Sequence, residues 1–142
     1  TLKNRTTLHQ NATNIRVRYA ETDQMGVAYY GAYAAWLEVG RVEFLRMCGT
    51  SYRKLENDGV MLPVRNLNIS YRSPALYDDL LQVKTRIKEL SGTRISFEHE
   101  VLNESDKLLA TAQVELVFMD RSSRRPIRVP EELAERLSAG DQ

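Results

Sequence analysis

One cysteine, Cys48, occurs in the 142 residues. That excludes an intrachain disulfide and a cysteine metal cluster, and it suits a reducing compartment without requiring one. The two histidines, His9 and His99, are too few and too far apart to suggest a zinc site. Charge of one sign is not in excess: 20 Lys and Arg stand against 19 Asp and Glu, a net +1. Nothing therefore marks a dedicated nucleic-acid or membrane surface. Apolar runs fall far short of a membrane span, and the polar opening "TLKNRTTLHQNATN" has no apolar stretch of signal-peptide type. There is no Gly-rich phosphate loop, no internal repeat and no low-complexity segment. A cytoplasmic location is the expectation, with no nucleic acid and no membrane span.

What is present is enough for a core. The chain is 42% hydrophobic and 27% charged, a globular balance, and one domain of this length buries roughly two thirds of its unfolded surface. Residues 1–13 read as a flexible arm and 14–142 as a single domain. Ile15, Val17 and Tyr19 alternate with Arg16 and Arg18, a short strand with one wet face. From about Tyr30 the period changes. Tyr30, Tyr33, Leu37, Phe44 and Cys48 recur at helical spacing, and Trp36, Val39 and Val42 widen the apolar surface, so other structure should wrap most of this helix. Gly49 is its stop.

After "GTSYRKLENDG" the period becomes two. Strands are predicted over Val64–Tyr71, Leu81–Ile87, Ile95–Val101 and Ala110–Phe118, separated by "RSPALYDD", "ELSGTR" and "NESDK". A short helix, "PEELAERLSAG", closes the chain. Strand, long helix and four strands with short loops describe an α+β protein, a single antiparallel sheet with the helix across one face. An exposed edge strand gives a second subunit a place to pair.

The helix start lacks a cap. No Ser, Thr, Asp or Asn occurs between Gln24 and Ala32, although these are the side chains that satisfy the first backbone N–H groups. Either the helix frays or its amides are kept for something else. Asp23, on the loop ahead, reads on spacing alone as a loop aspartate bonding its own amides. "RSSRRPIR", Arg121–Arg128, reads as a solvated loop or an anion site.

The stretch "VRYAETDQMGVAYYGAYAAWLEVGRVEFLR" resembles the opening of the hot-dog-fold acyl-CoA thioesterases of the 4-hydroxybenzoyl-CoA thioesterase family. The pattern is carried by Asp23, Gly26, Val27, Ala28, Tyr29, Tyr30 and Tyr33, and "YRSPALYDDLLQV" resembles the family's third-strand segment. Many members have His at the Tyr30 position and Asn at the Ala32 position, so a helper side chain of some relatives is missing or replaced here. The resemblance implies a five-stranded antiparallel sheet wrapped round the long helix. It also implies edge pairing into a ten-stranded sheet, with active sites at the interface of a dimer or tetramer.

For chemistry, the resemblance implies hydrolysis of an acyl-CoA thioester to a free acid and CoA, without a metal or any cofactor beyond the CoA of the substrate. The backbone N–H of Tyr30, helped by Gly31, would hold the oxyanion at the positive helix end. Gly31 would also let substrate approach the backbone. Asp23 would act as general base on water or as nucleophile. Gly26, Tyr33, Glu38, Arg72, Thr93, Arg94 and Arg124 are the substrate-binding candidates, the arginines for the CoA phosphates. For Glu38 the plainer reading is a salt bridge with Arg41 or Arg18, and for His99 a satisfied core or interface histidine. Two other functions stay open: cleavage of acyl groups carried on acyl carrier protein, and non-catalytic acyl binding.

Overall fold

The computed structural model describes residues 10–138. Most of the expected arm, residues 1–9, lies outside them, as do His9 and Gly140. Residues 10–13 are not arm: strand β1 spans Gln10–Arg16 and pairs antiparallel with β4, Leu80–Ser91, in the register Gln10↔Arg86 to Arg16↔Leu80. The strand therefore starts and ends earlier than its side-chain alternation suggests, and Tyr19–Glu21 form a 3₁₀ turn instead. Helix α1 follows, Gly31–Met47, then a one-and-a-half-turn helix α2, Tyr52–Asn57. Next come β2 (Val60–Met61), β3 (Val64–Tyr71) and β4, then β5 (Arg94–Leu102), β6 (Leu108–Val117) and β7 (Met119–Asp120), and helix α3 (Glu131–Ser138).

The main sheet has the order β1-β4-β5-β6-β3, and every neighbouring pair is antiparallel. β2 and β7 form a separate small pair. Alternation sets the inner face: Leu81, Val83, Thr85 and Ile87 of β4, Ile95, Phe97, His99 and Val101 of β5, and Ala110, Ala112, Val114 and Leu116 of β6 are all buried. Register shifts at Ile87/Glu89 and Val64/Asn66 let the long strands curl round the helix.

α1 lays Ala32, Tyr33, Trp36, Leu37, Gly40, Arg41, Phe44 and Leu45 against that face. Phe44 meets Phe97 edge to face at 5.5 Å, and burying each ring contributes about 1.5–3 kcal/mol. Gly40 marks the closest approach. A Cβ there would lie 2.5 Å from Thr85 Oγ1 and 2.9 Å from Val83 Cγ1. The helix is less wrapped than its composition suggests, for Ala34, Ala35, Glu38 and Val39 face outward. Gly49 ends it as expected, at φ +86°, with Thr50 N–H donating to Leu45 C=O at 3.0 Å.

The two sheet edges differ. β1 offers Gln10, Asn11, Thr13 and Asn14, whereas β3 is exposed along nearly its whole length and carries Val64, Leu67 and Tyr71 at 50%, 40% and 49% exposure.

Candidate functional site

Between β1 and α1 the chain makes a miniature hairpin headed by Asp23. Thr22 bridges Ala28, and Asp23 N–H donates to Val27 C=O at 2.9 Å. Gly26 turns the loop at φ +76°, a conformation glycine adopts without a steric penalty. Asp23 Oδ1 accepts from the N–H groups of Met25 at 2.8 Å and Val27 at 3.3 Å. Its Oδ2 has no hydrogen-bond partner among the described residues. The side chain thus does what loop aspartates do, and still presents one free carboxylate oxygen.

The segment Ser73–Asp79 clamps this hairpin to the sheet. Ala28 N–H donates to Ala75 C=O at 2.8 Å, Tyr77 N–H to Gly26 C=O at 2.9 Å, and Val17 N–H to Asp79 C=O at 2.9 Å. Asp79 Oδ2 in turn accepts Leu76 N–H at 2.9 Å. "RSPALYDD" is therefore the bracket that holds the Asp23 loop in place.

A second brace was not foreseen from the sequence. Glu21 is buried, and its carboxylate accepts from Arg18 N–H at 2.8 Å, Arg18 Nη2 at 3.2 Å and Trp36 Nε1–H at 3.0 Å. Burial opposes its ionisation, but the Arg18 backbone and side chain together with Trp36 outweigh that and hold its pKa below 4.5. Its own C=O accepts Tyr29 N–H at 3.0 Å. Glu21 thus fastens the loop to α1 and fixes the peptide just before the helix. Arg18 is paired here, so it is not the partner of Glu38.

At the helix start Tyr30 has helical dihedrals and no side-chain cap bond. Ala32 N–H and Tyr33 N–H turn back to the C=O groups of Tyr29 and Tyr30 at 3.0 and 3.2 Å. The N–H groups of Tyr30 and Gly31 have no partner among the described residues. Asp23, Ala28, Tyr29, Tyr30, Tyr33, Tyr71, Arg72, Ser73 and Pro74 line one open groove of about 460 Å³ here. Asp23 with its free carboxylate oxygen, Tyr30 with its unpaired amide at a positive helix end and a wall of tyrosines share it, and the unpaired Gly31 amide is next along the chain. The space above Gly31 is not empty, as a Cβ would sit 2.7 Å from Tyr29 Cε2. The glycine makes room for the protein's own Tyr29 ring.

The model of the thioesterase-like superfamily matches residues 17–137. The chain belongs to that superfamily. The acyl-CoA thioester hydrolase YbgC of Shigella flexneri is 34% identical over 119 residues, 84% of this chain and 89% of that protein. The acyl-CoA thioesterase YbgC of Haemophilus influenzae is 33% identical over 120 residues, 84% of this chain and 88% of that protein. Among solved structures, DHNA-CoA thioesterase from Staphylococcus aureus superposes with a TM-score of 0.87 at 35% identity, covering 92% of this chain and 89% of that one.

Within this thioesterase-like chain the sequence-predicted site residues divide by place. Asp23, Tyr30, Tyr33 and Arg72 line the groove, with Gly31 at the helix start and Gly26 in the loop. Thr93, Arg94 and Arg124 are not brought there. Tyr71 ends β3 opposite Ala110, whereas Thr93 and Arg94 lie at the far end of the sheet, where Arg94 pairs with Val117. Arg94 Nη1 lies 3.7 Å from Glu115 Oε2, and Arg124 is held in a turn by its N–H to Asp120 C=O at 2.8 Å. Glu38 lies about two turns into α1 and faces outward. It forms no salt bridge with Arg41, which is buried against the Tyr52 hydroxyl instead.

His99 is a core residue but only half satisfied. Nδ1 lies 3.0 Å from Thr85 Oγ1, while Nε2 has no partner, as is also true of Nε and Nη1 of the buried Arg41. Burial first, and then the Arg41 charge, push the pKa of His99 from 6.5 down to about 3. It is a neutral core group and not a site base. No cluster of potential metal ligands occurs among the described residues, and no described helix is long and apolar enough to cross a membrane.

Proposed function

We propose that the chain is an acyl-CoA thioesterase that hydrolyses R–CO–S–CoA and water to R–COOH and HS–CoA. The observation that carries this reading is the free Oδ2 of Asp23 in one groove with Tyr30, whose unpaired N–H is followed by that of Gly31 at the helix start. The acyl-CoA thioesterase activity in the names of the YbgC relatives, at 33–34% identity over most of both chains, supports it.

In the reaction the thioester carbonyl oxygen points at the two amides. As water or carboxylate adds to the carbon, negative charge collects on that oxygen, where fixed donors and the helix dipole meet it without reorganising. One such donor is worth about 3 kcal/mol. Asp23 Oδ2 either takes a proton from the attacking water or attacks to give a mixed anhydride that water then opens. When the bond from the carbonyl carbon to sulfur breaks, the leaving group needs no further help, since a thiolate with a parent pKa of about 8.5 leaves readily. Arg72, a lining residue of the groove, is the cation proposed for the phosphorylated end of CoA.

We further propose that the working unit is a homo-oligomer paired through β3. The exposed apolar edge of β3 and the outward Ala34, Ala35 and Val39 of α1 support it. Antiparallel pairing through β3 reverses the ends of one sheet relative to the other. It brings the far end of one subunit, with Thr93, Arg94 and Arg124, towards the groove of its partner. This accounts for cations that lie remote from Asp23 within one chain. The proposed location is the cytoplasm, which a chain with a single cysteine, and so without an intrachain disulfide, suits.

The test is free-thiol release from a panel of short, long and aromatic acyl-CoAs, with Asp23→Asn beside wild type at a known oligomeric state. Wild type should cleave at least one member, and Asp23→Asn should lose about a hundredfold or more while remaining folded. Equal activity in both proteins refutes the role of Asp23. Inertness on every CoA thioester with turnover of an acyl carrier protein thioester redirects the reading to that substrate.

A further inference from the structure

Tyr71 is the last residue of β3 and lines the groove together with Asp23. Its hydroxyl reaches across 41 residues of sequence and donates to the C=O of Tyr30 at 3.2 Å. That oxygen also accepts Tyr33 N–H at 3.2 Å. The doubly engaged carbonyl belongs to the peptide group whose other end is Gly31 N–H, one of the two unpaired amides at the helix start.

A peptide group is a single conjugated unit. Donating to its oxygen draws electron density from nitrogen, makes the N–H more acidic and strengthens whatever bond that N–H makes. The same contact fixes the peptide plane, and so the direction in which Gly31 N–H points. The Tyr71 ring is itself held, meeting Tyr33 edge to face at 5.0 Å and 90°, while Tyr33 leans on the buried Trp36 at 4.6 Å. The hydroxyl is thereby aimed by the core.

We propose that Tyr71 is a positioning residue which, by donating to the Tyr30 carbonyl, orients and strengthens Gly31 N–H as an oxyanion donor. This rests on the thioesterase reading of the groove. Tyr71 touches no reacting atom in it. It acts through the Tyr30–Gly31 peptide, and its effect is confined to the charged tetrahedral state, where the N–H bond is strongest. The ground-state thioester, with a far weaker acceptor, gains little.

The experiment uses Tyr71→Phe, which keeps the ring that packs on Tyr33 and removes only the hydroxyl. Its kcat on the best substrate should fall about tenfold, as expected for one lost neutral hydrogen bond, with KM unchanged within about twofold. In a ¹H–¹⁵N spectrum of the folded protein, the Gly31 amide proton should move upfield. Incorporation of 3-fluorotyrosine at position 71, which retains a more acidic hydroxyl, should restore wild-type kcat and the Gly31 shift. An active wild type with unchanged kcat in Tyr71→Phe and an unmoved Gly31 resonance overturns the role of Tyr71 and leaves the thioesterase reading standing. A rise in KM alone makes Tyr71 a binding wall and also overturns it. A wild type inert on every thioester removes the parent reading and this one with it.

Discussion

Removing the Glu21 carboxylate should loosen the site without touching any residue in the groove. Glu21→Ala strands Trp36 Nε1–H in the core, where Trp36 is 2% exposed, and also frees the Arg18 backbone N–H. A buried donor left unpaired costs about 1–3 kcal/mol. The Arg18 guanidinium is 74% exposed, so its ion pair adds under about 1 kcal/mol. A loss of about 2–4 kcal/mol in urea unfolding is expected for Glu21→Ala. Glu21→Gln keeps the shape but turns an NH₂ towards one of the two donors, and about 1–3 kcal/mol is expected there. Because Glu21 C=O also holds Tyr29 N–H, the Tyr30–Gly31 amides shift once the loop slackens. Thiol release should fall on the order of tenfold to a hundredfold in Glu21→Ala. The pH dependence gives an independent check. The folded pKa lies below 4.5, so the ionised carboxylate contributes stability that is full above pH 4.5 and is lost as pH falls through the folded value. Glu21→Gln should lack that acid-side loss. An unchanged unfolding midpoint in both variants, or a Glu21→Gln stability curve parallel to wild type below pH 4.5, would refute the brace.

Two further outcomes concern the core. Gly40→Ala gains about 1 kcal/mol of helix propensity, but its methyl meets Thr85 Oγ1 at 2.5 Å and Val83 Cγ1 at 2.9 Å. Overpacking of this kind costs about 1–3 kcal/mol, so thermal unfolding should show a net loss of stability, and a gain would mean that α1 does not press on β4 there. For His99, the fold depresses the pKa from 6.5 to about 3, so unfolding takes up a proton below pH 6.5. The stability this contributes is whole above pH 6.5 and declines towards pH 3, by up to about 1.4 kcal/mol per pH unit. Urea unfolding between pH 7 and pH 5 should show that slope in wild type and lose it in His99→Gln.

Much of this fold was legible because the two periods are local properties of the chain. Leu81, Val83, Thr85 and Ile87 lie on one face of any extended strand, and Tyr33, Leu37, Phe44 and Leu45 on one side of any helix. The stop at Gly49 and the missing cap before Gly31 are likewise statements about a few consecutive residues. Helix α2 is equally local yet hard to read from sequence, although Ser51 Oγ accepts Lys54 N–H at 3.1 Å as an N-cap and Gly59 follows at φ +83°. Six residues between longer elements give a weak periodic signal. Glu21 was invisible for another reason. A lone acid in a polar loop reads as solvated, and nothing in the spacing says that it meets Trp36, fifteen residues on.

The sequence by itself therefore determined the kinds of element, the free helix start and the acid ahead of it, since each depends on neighbours within a turn or two. Only the tertiary structure decided which of them meet. It folded Ser73–Asp79 back onto Gly26 and Ala28 and laid the Tyr71 hydroxyl on the Tyr30 carbonyl. It also left Thr93, Arg94 and Arg124 at the other end of a sheet that brings Arg72 to the groove. Those contacts join residues tens of positions apart, and their geometry is set by the register of an antiparallel sheet and the crossing of a helix over it. No local pattern of side chains contains either quantity.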